Sequence, residues 1–529
     1  MAKILVSDSL AQEGRAILAD GGANEVVYKP EITPEELLAE IGEYEALVIR
    51  SRTKVTADVL RAAKRMKIVG RAGVGVDNVD VPVATDCGIM VANAPEGNTI
   101  STCEHAISLM MSLVRNIAVG DATMKAGQWE KKKLAGVELF GKTLGIIGLG
   151  KIGREVAKRM KAFGMTVWGH DPYISTEVAE RLGVALKSVN EIIEGADIIT
   201  VHTPKTPETT NLIGEAELKR MKKTAFLVNC ARGGIVNEEA LAAALEAGEI
   251  AGAALDVYTA EPLPDDHPLR KAPNLVLTPH LGASTVEAQE KVALQVAEQV
   301  VNACKGAEVT TALNAPAINA EMLRQMQPHL DLAKAMGLFI VQMGDAPFRE
   351  LEISMCGTLL EQPTEPLTMS VMIGFLESIS DPPVNFVNAR ARMQARGLNI
   401  VESRSTCRRD YLNMITVTAT MEDGKRVSLS GTVFEPNRQR IVAIGDLHFE
   451  MRPKGTIILM ENRDEPGIIG AIGTTLGNAG MNIGEISWGR DEKGGRAMTA
   501  INVDDDLPPD MVRKLASLPN ALSARLIRL

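Results

Sequence analysis

The 529-residue chain is poor in aromatic residues, which make up 3% of it, too few for the stacking platforms that read single-stranded bases. It lacks an excess of positive charge. The formal net charge of −10 repels a polyphosphate backbone, so no nucleic-acid partner is expected. No apolar run is long enough to cross a bilayer, and Met1-Ala2-Lys3 leads straight into the strand-like "ILVSD" rather than a signal peptide, so a cytoplasmic protein with no membrane partner is expected. The six cysteines (Cys87, Cys103, Cys230, Cys304, Cys356, Cys407) are far apart and include no C-x-x-C pair. That usage fits reduced thiols and no structural metal. There is no low-complexity segment.

What is present is strand and helix in alternation. From Lys3 to about Ala94, "KILVSD", "ALVIRS", "KIVGRAG" and "IMVANA" alternate with helical stretches at Pro34–Ile41 and Ala57–Ala63, the pattern of a parallel sheet wrapped by helices. A long helix from Thr99 to about Met124 leads to "KTLGIIGLGKIGREVAKRMKAFGMTVWGHDP", after which the alternation resumes in "DIITVHTP", "AFLVNCAR", "AGAALDVY" and "NLVLTPHL". A helix from Thr285 to Cys304 then carries the chain back to the first domain. The expected organisation is a discontinuous domain (1–97 and 285–317), an inserted domain (98–284), a mixed domain (318–453) with a hairpin turning at Asp423-Gly424, and a small domain (454–529). The last reads strand, helix, strand, strand, helix, strand, a ferredoxin-like order.

The glycine run carries the first chemistry. Gly148, Gly150 and Gly153 follow a strand and open a helix, and Asp171 stands about twenty residues further on, after a second short strand. A lone G-x-G-x-x-G serves tight packing as readily as binding, but this context is that of a dinucleotide cradle. Gly148 permits the turn, Gly150 admits a pyrophosphate, and the helix N-terminus offers unpaired N–H groups. Asp171 accepts from ribose hydroxyls and repels a 2′-phosphate, favouring NAD over NADP, with a turn former before Pro172 as its plainer role.

Hydride transfer also needs a carboxylate grip and a proton carrier. Arg232 in "NCARGG", Glu261 in "DVYTAEP" and His280 in "TPHLGAST" each follow an apolar strand of the same domain, and such carboxyl ends converge on one crevice. Arg232 offers a planar fork to a carboxylate, His280 an imidazole for the hydroxyl proton, and Glu261 a carboxylate to orient that imidazole. Taken singly, each is as well explained as a structural or surface residue.

With these residues, the blocks "GRAGVGVDNVD", "GLGKIGREVAKR", "HDPY", "NCARGGIVNEEAL", "ALDVYTAEP" and "TPHLGASTVEAQ" make the chain resemble the D-isomer-specific 2-hydroxyacid dehydrogenases, most nearly the long-form branch that oxidises 3-phosphoglycerate. The resemblance implies a Rossmann-type doubly wound NAD domain inserted in a flavodoxin-like α/β substrate domain, then a mixed α+β intervening domain and a ferredoxin-like βαββαβ ACT domain. It places the catalytic set on Arg232, Glu261 and His280. NAD contacts fall on the glycine turn with Lys151 and Ile152, on Asp171, Thr203, Cys230, Ala231, Arg232 and Asp256, and on His280, Leu281, Gly282 and Ala283. Val74 stands where some relatives carry threonine.

For the distal phosphate, "VIRSRT" offers Arg50, Ser51 and Arg52, with strand alternation putting both arginines on one face. The plainer alternative is a solvated basic strand end. Lys131 matches a position from which the family reaches a neighbouring subunit's site, although "EKKK" also reads as a solvated charge run. The implied reaction is NAD-dependent oxidation of 3-phosphoglycerate to 3-phosphohydroxypyruvate, the first step of serine biosynthesis, in a homo-oligomer (dimer or tetramer).

"ENRDEPGIIGAIGTTLGNAGMNIGEIS" resembles the ACT regulatory module, in which Asp464 would accept an effector's ammonium and Asn482 from a second subunit its carboxylate, with L-serine as the implied inhibitor. Asp464 as a helix cap is the alternative, and Asn462 departs from an aromatic found in some relatives. Arg438, Arg440, His448 and Arg452 form either an anion site or a solvated face. Two other readings of the whole chain are a glyoxylate or hydroxypyruvate reductase and a non-catalytic NAD-sensing interaction protein. Arg50, Arg52 and the long C-terminal extension weigh against the first, and the full catalytic set weighs against the second.

Overall fold

Apolar β-branched runs build the first sheet: β1 (Lys3–Val6), β2 (Glu25–Tyr28), β3 (Ala46–Ile49), β4 (Ile68–Arg71) and β5 (Met90–Asn93). All pairs are parallel and the order is β2-β1-β3-β4-β5, the flavodoxin-like arrangement. The computed structural model describes residues 1–529 apart from 317–319, 378, 380–383, 407–410, 435–436, 505–506 and 508. The expected boundary at 317–318 and the expected free thiol of Cys407 lie outside the described residues.

β2 is absent from the strands expected of the sequence. Its four residues are all partly or fully exposed at the sheet edge, so "EVVY" lacks the apolar run that marks its neighbours. The helix Val286–Lys305, capped by the Thr285 hydroxyl on the Ala288 N–H, returns to this sheet. It lies so close over β4 that a Cβ on Gly70 would sit 2.6 Å from a Val300 methyl. Beyond it, the Asn314 Oδ1 accepts from the Val91 N–H of β5 at 2.8 Å.

The second sheet comprises β6 (Thr143–Ile147), β7 (Thr166–His170), β8 (Ala185–Leu186), β9 (Ile198–Val201), β10 (Phe226–Asn229), β11 (Gly252–Leu255) and β12 (Leu275–Leu277), again all parallel. Its order, β12-β11-β10-β9-β6-β7-β8, reverses direction between β6 and β9. That is the doubly wound topology, and the reversal opens a crevice at the carboxyl ends of those two strands. The single helix expected over 99–124 is two, Thr99–Val114 and Ile117–Lys125, because Asn116 takes a left-handed φ of 51° between them.

The third sheet consists of β13 (Phe348–Gly357), β14 (Asn399–Arg404), β15 (Asn413–Met421), β16 (Arg426–Phe434), β17 (Arg438–Ile444) and β18 (Leu447–Met451). It runs in the order β14-β13-β15-β16-β17-β18 against the helices Ala320–Val341 and Glu365–Glu377. The β15–β16 hairpin turns at Asp423-Gly424, where Gly424 has a φ of 84°. Cys87, Cys103, Cys230 and Cys304 are free, but Cys356 on β13 is disulfide-bonded, against the expectation of reduced thiols throughout. Wide spacing along a chain does not prevent two cysteines from meeting across a fold.

The last 75 or so residues form β19 (Thr456–Arg463), helix Ile468–Asn478, β20 (Ile483–Arg490), β21 (Arg496–Val503), helix Pro509–Ala516 and β22 (Ala521–Arg528), an antiparallel sheet ordered β20-β21-β19-β22. Both faces are apolar. Ile457 and Leu459 join the core of the third sheet, while Ile458 and Met460 pack under the domain's own helices. Among the described residues no helix is long and apolar enough to cross a membrane.

Candidate active site

The glycine turn is built to hold a flat anionic ligand. Gly148, at φ 99°, donates its N–H to the His170 carbonyl, and a Cβ there would lie 2.5 Å from the His202 carbonyl oxygen. Only glycine permits both. The helix Lys151–Ala162 starts at Gly150 without a side-chain cap, leaving first-turn N–H groups open, and nothing stands within 4 Å of where a Gly150 Cβ would be. Gly153 is pressed against the Gly148 carbonyl and serves close packing.

Asp171 follows β7 and accepts the Leu149 N–H on one carboxylate oxygen and the Tyr173 N–H on the other, each at 2.9 Å. Each oxygen keeps a lone pair for a hydroxyl. Lys151 bonds Glu96 at 2.7 Å from the substrate-domain side of the crevice, and Ile152 packs partly into the core. The Thr203 hydroxyl and the His202 Nδ1 are enclosed with no partner among the described residues. Burial pushes His202 down to about 4, so the ring is neutral at pH 7. Cys230 and Ala231 form a buried wall at the end of β10, where burial raises the Cys230 thiol well above its usual range. Open N–H groups, a ribose acceptor and an unmet hydroxyl along one crevice fit NAD.

Adjacent strands β10, β11 and β12 deliver the chemistry. Arg232 follows β10, its carbonyl accepting from the Asn229 side chain at 3.0 Å. Glu261 follows β11 and His280 follows β12, and the His280 Nδ1 lies 2.7 Å from a Glu261 carboxylate oxygen. The other oxygen of Glu261 accepts the Tyr258 N–H at 3.1 Å. Burial pushes the Glu261 carboxyl up, but the bond and charge of His280 outweigh it and hold the group below its usual range. His280 sits in the left-handed region at φ 57°. Asp256 is buried beneath this turn and accepts the Leu281 and Gly282 N–H groups at 2.7 and 2.8 Å, with Ala283 following.

Across the cleft stands the first sheet. Arg232 Nε donates to Asp77 at 3.0 Å, an exposed pair and so readily exchanged for a ligand. Arg50 and Arg52 do not share a strand face, because β3 ends at Ile49. Arg52 donates to Asp8, the Ile32 carbonyl and the Ser7 carbonyl at 3.2, 3.1 and 2.6 Å, so its fork is committed to the fold. Among the described residues the Arg50 side chain makes only a long bond to Ser9, at 3.4 Å, and lines a cavity of about 180 Å³ with Ser9, Ala72 and Gln289. Ser51 is exposed between them.

Arg71, at the end of β4, is not among the residues expected at the cleft. Among the described residues its Nε is enclosed without a partner, and burial, then the nearby Arg232 charge, lowers it to about 10. A half-buried guanidinium with an enclosed, unmet donor beside a second cation favours an anionic ligand. The signal lay in "KIVGRAG", where an arginine ends an apolar strand, much as Arg50 directly follows one.

The remaining predicted residues do not join this group within one chain. Lys131 is exposed in the loop after the helix Ile117–Lys125. Asp464 does not cap the helix Ile468–Asn478; its carboxylate accepts from Arg490 at 2.6 Å and from the Gly494 N–H at 3.1 Å. Asn482 instead donates to Asp504 at 2.5 Å.

The family model for the D-isomer specific 2-hydroxyacid dehydrogenase NAD binding domain matches residues 107–282, that for the D-3-phosphoglycerate dehydrogenase intervening domain matches 325–445, and that for the ACT domain matches 456–520. A D-3-phosphoglycerate dehydrogenase of Methanocaldococcus jannaschii is 42% identical over 530 residues, covering 100% of both chains. Among solved structures, a glyoxylate reductase from Paecilomyes thermophila is 31% identical with a TM-score of 0.55, over 59% of this chain and 98% of that one. An NAD-dependent formate dehydrogenase from Staphylococcus aureus in complex with NAD is 30% identical with a TM-score of 0.52, over 57% of this chain and 95% of that one. The full-length match and the order of domains together place the chain in the D-3-phosphoglycerate dehydrogenase family, within the NAD-dependent D-isomer specific 2-hydroxyacid dehydrogenases.

Proposed function

We propose that this enzyme oxidises 3-phospho-D-glycerate at C2 to 3-phosphohydroxypyruvate, the first step of the phosphorylated route to L-serine. The observation that carries the reading is the 2.7 Å bond between His280 and Glu261, after the two strands next in order to the one that Arg232 follows. Held on the glycine turn at Gly148 and Gly150 and by Asp171, NAD would supply the hydride acceptor for C2. Arg232 grips the carboxylate and the reacting oxygen, exchanging its Asp77 bond for the substrate. With Nδ1 held by Glu261, Nε2 of His280 is the nitrogen left to take the hydroxyl proton, and the carboxylate stabilises the imidazolium that results. In reduction the same proton returns. Arg50 and Arg71 supply positive charge for the distal phosphate from the opposite wall.

The test follows deuterium placed at C2 of 3-phosphoglycerate. The label is expected in NADH, and its appearance in water would sink the hydride mechanism.

A homo-oligomer, dimer or tetramer, is supported by exposed apolar residues on and after the helix Ile117–Lys125. Ile117, Val119, Met124, Trp129 and Phe140 would be covered by a second copy, which would also carry Lys131 to a neighbouring cleft. L-serine is the proposed effector of the ACT domain, with Asp464 and a partner's Asn482 as its contacts, and the cytoplasm is the proposed compartment.

A further inference from the structure

The segment that carries His280 is gripped from below by one face of the helix Thr99–Val114, the first element of the cofactor domain after the chain leaves the first sheet. Ser101, Thr102 and His105 share that face at helical spacing. The Ser101 and Thr102 hydroxyls donate to the Gly282 carbonyl at 2.7 and 3.1 Å. His105 Nε2 lies 3.1 Å from Asp256 Oδ1 and 3.1 Å from Thr278 Oγ1. Since Thr278 gives its own proton to Asp256, at 2.6 Å, Nε2 must be the protonated nitrogen if it is to bond either oxygen.

The turn is therefore fixed at each end. Thr278 is tied to Asp256 before His280, and the Leu281 and Gly282 N–H groups are tied to it afterwards. Between these ties His280 keeps a left-handed backbone, which a non-glycine residue holds only where its surroundings over-determine it. Asp256 is 1% exposed, and a carboxylate buried so deeply needs every bond it has. Burial pushes it up, and the bonds from His105, Thr278 and Leu281 bring it below its ordinary range.

We infer that His105 is a positioning residue for the reaction: by holding the Asp256–Thr278 pair it sets the left-handed turn that aims His280. The inference rests on the reading of His280 as the proton carrier. His105 touches neither reacting atoms nor His280 itself and acts through the Asp256–Thr278 pair.

The experiment compares full-length His105→Ala, His105→Gln and Thr278→Val with His280→Ala, measuring turnover per NADH-binding site, NADH affinity by fluorescence and thermal midpoint. His105→Ala should lower kcat by about 10- to 100-fold with NADH affinity and site number near wild type, as small misplacements of a reacting group do. His105→Gln, which restores a donor at the same reach, should recover most of it. Thr278→Val should show the same split and serves if His105→Ala fails to fold. Wild-type kcat per site in His105→Ala, or parallel loss of kcat, NADH affinity and thermal midpoint without rescue by glutamine, would overturn the inference. Full turnover in His280→Ala would remove the underlying reading and the inference with it, whereas an inactive His280→Ala beside a wild-type His105→Ala would overturn the inference only.

Discussion

The cleft and the C-terminal domain differ in how their polar residues are used. In the cleft, Arg232, Glu261 and His280 come from three adjacent strands, and the bonds that fix them leave Nε2 of His280 and part of the Arg232 fork for a ligand. In the ACT domain, Asp464 is already held by Arg490 and Gly494, and Asn482 by Asp504. The contrast is that one chain brings Glu261 and His280 together, while Asp464 and Asn482 must either exchange bonds or draw on another copy to meet an effector.

Replacing His280 with alanine tests the cleft side most severely: kcat is expected to fall on the order of 10³-fold with NADH binding retained, and steady-state rates with fluorescence titration check it. Next, Arg71→Met should raise KM for the phosphorylated acid about 10- to 100-fold and that for unphosphorylated glycerate far less, because a bond to an ionised phosphate is lost. Equal effects on both acids would move Arg71 out of the phosphate site. Arg50→Ala should raise the same KM about tenfold without changing the melting temperature, whereas Arg52→Ala, which breaks three bonds to the fold, should lower stability by about 1–2 kcal/mol. Reversal of that pair would restore the alternation argument.

The pH dependence of folding sharpens the cleft further. His202 sits at about 4 in the fold, below the ordinary histidine value of 6.5, so the unfolded chain binds its proton first. Stability should therefore fall as pH drops from about 6.5 to about 4, by roughly 3 kcal/mol from this group, and be unaffected by it at higher pH. Denaturant titrations of wild type and His202→Gln across that window check the slope. On the ACT side the expected effect on basal rate is smallest: Asp464→Ala should abolish inhibition by L-serine while kcat stays within about twofold. Retained inhibition would mean that the bonds to Arg490 and Gly494 are permanent and the effector lies elsewhere.

The parallel sheets were legible because buried strands read as continuous apolar runs, and the glycine turn because its residues act through backbone geometry that composition reveals. Glu261 and His280 were legible as strand-end residues, but not their 2.7 Å bond. The exposed β2 escaped because an edge strand carries little apolar signal, and the Asn116 break because helical periodicity continues across it. Arg50 and Arg52 were expected on one strand face, but alternation holds only while the strand lasts, and it stops at Ile49. Arg71 and His105 gain their meaning from partners far along the chain, Arg232 and Asp256, which local pattern does not encode.

The central claim is NAD-linked oxidation of a phosphorylated 2-hydroxy acid, and NADH formation with paired substrates tests it most directly. The account predicts that kcat/KM for 3-phosphoglycerate exceeds that for glycerate by about two orders of magnitude or more, the worth of a charge-paired phosphate. Equal values for the two acids, or no NADH from either, would contradict it.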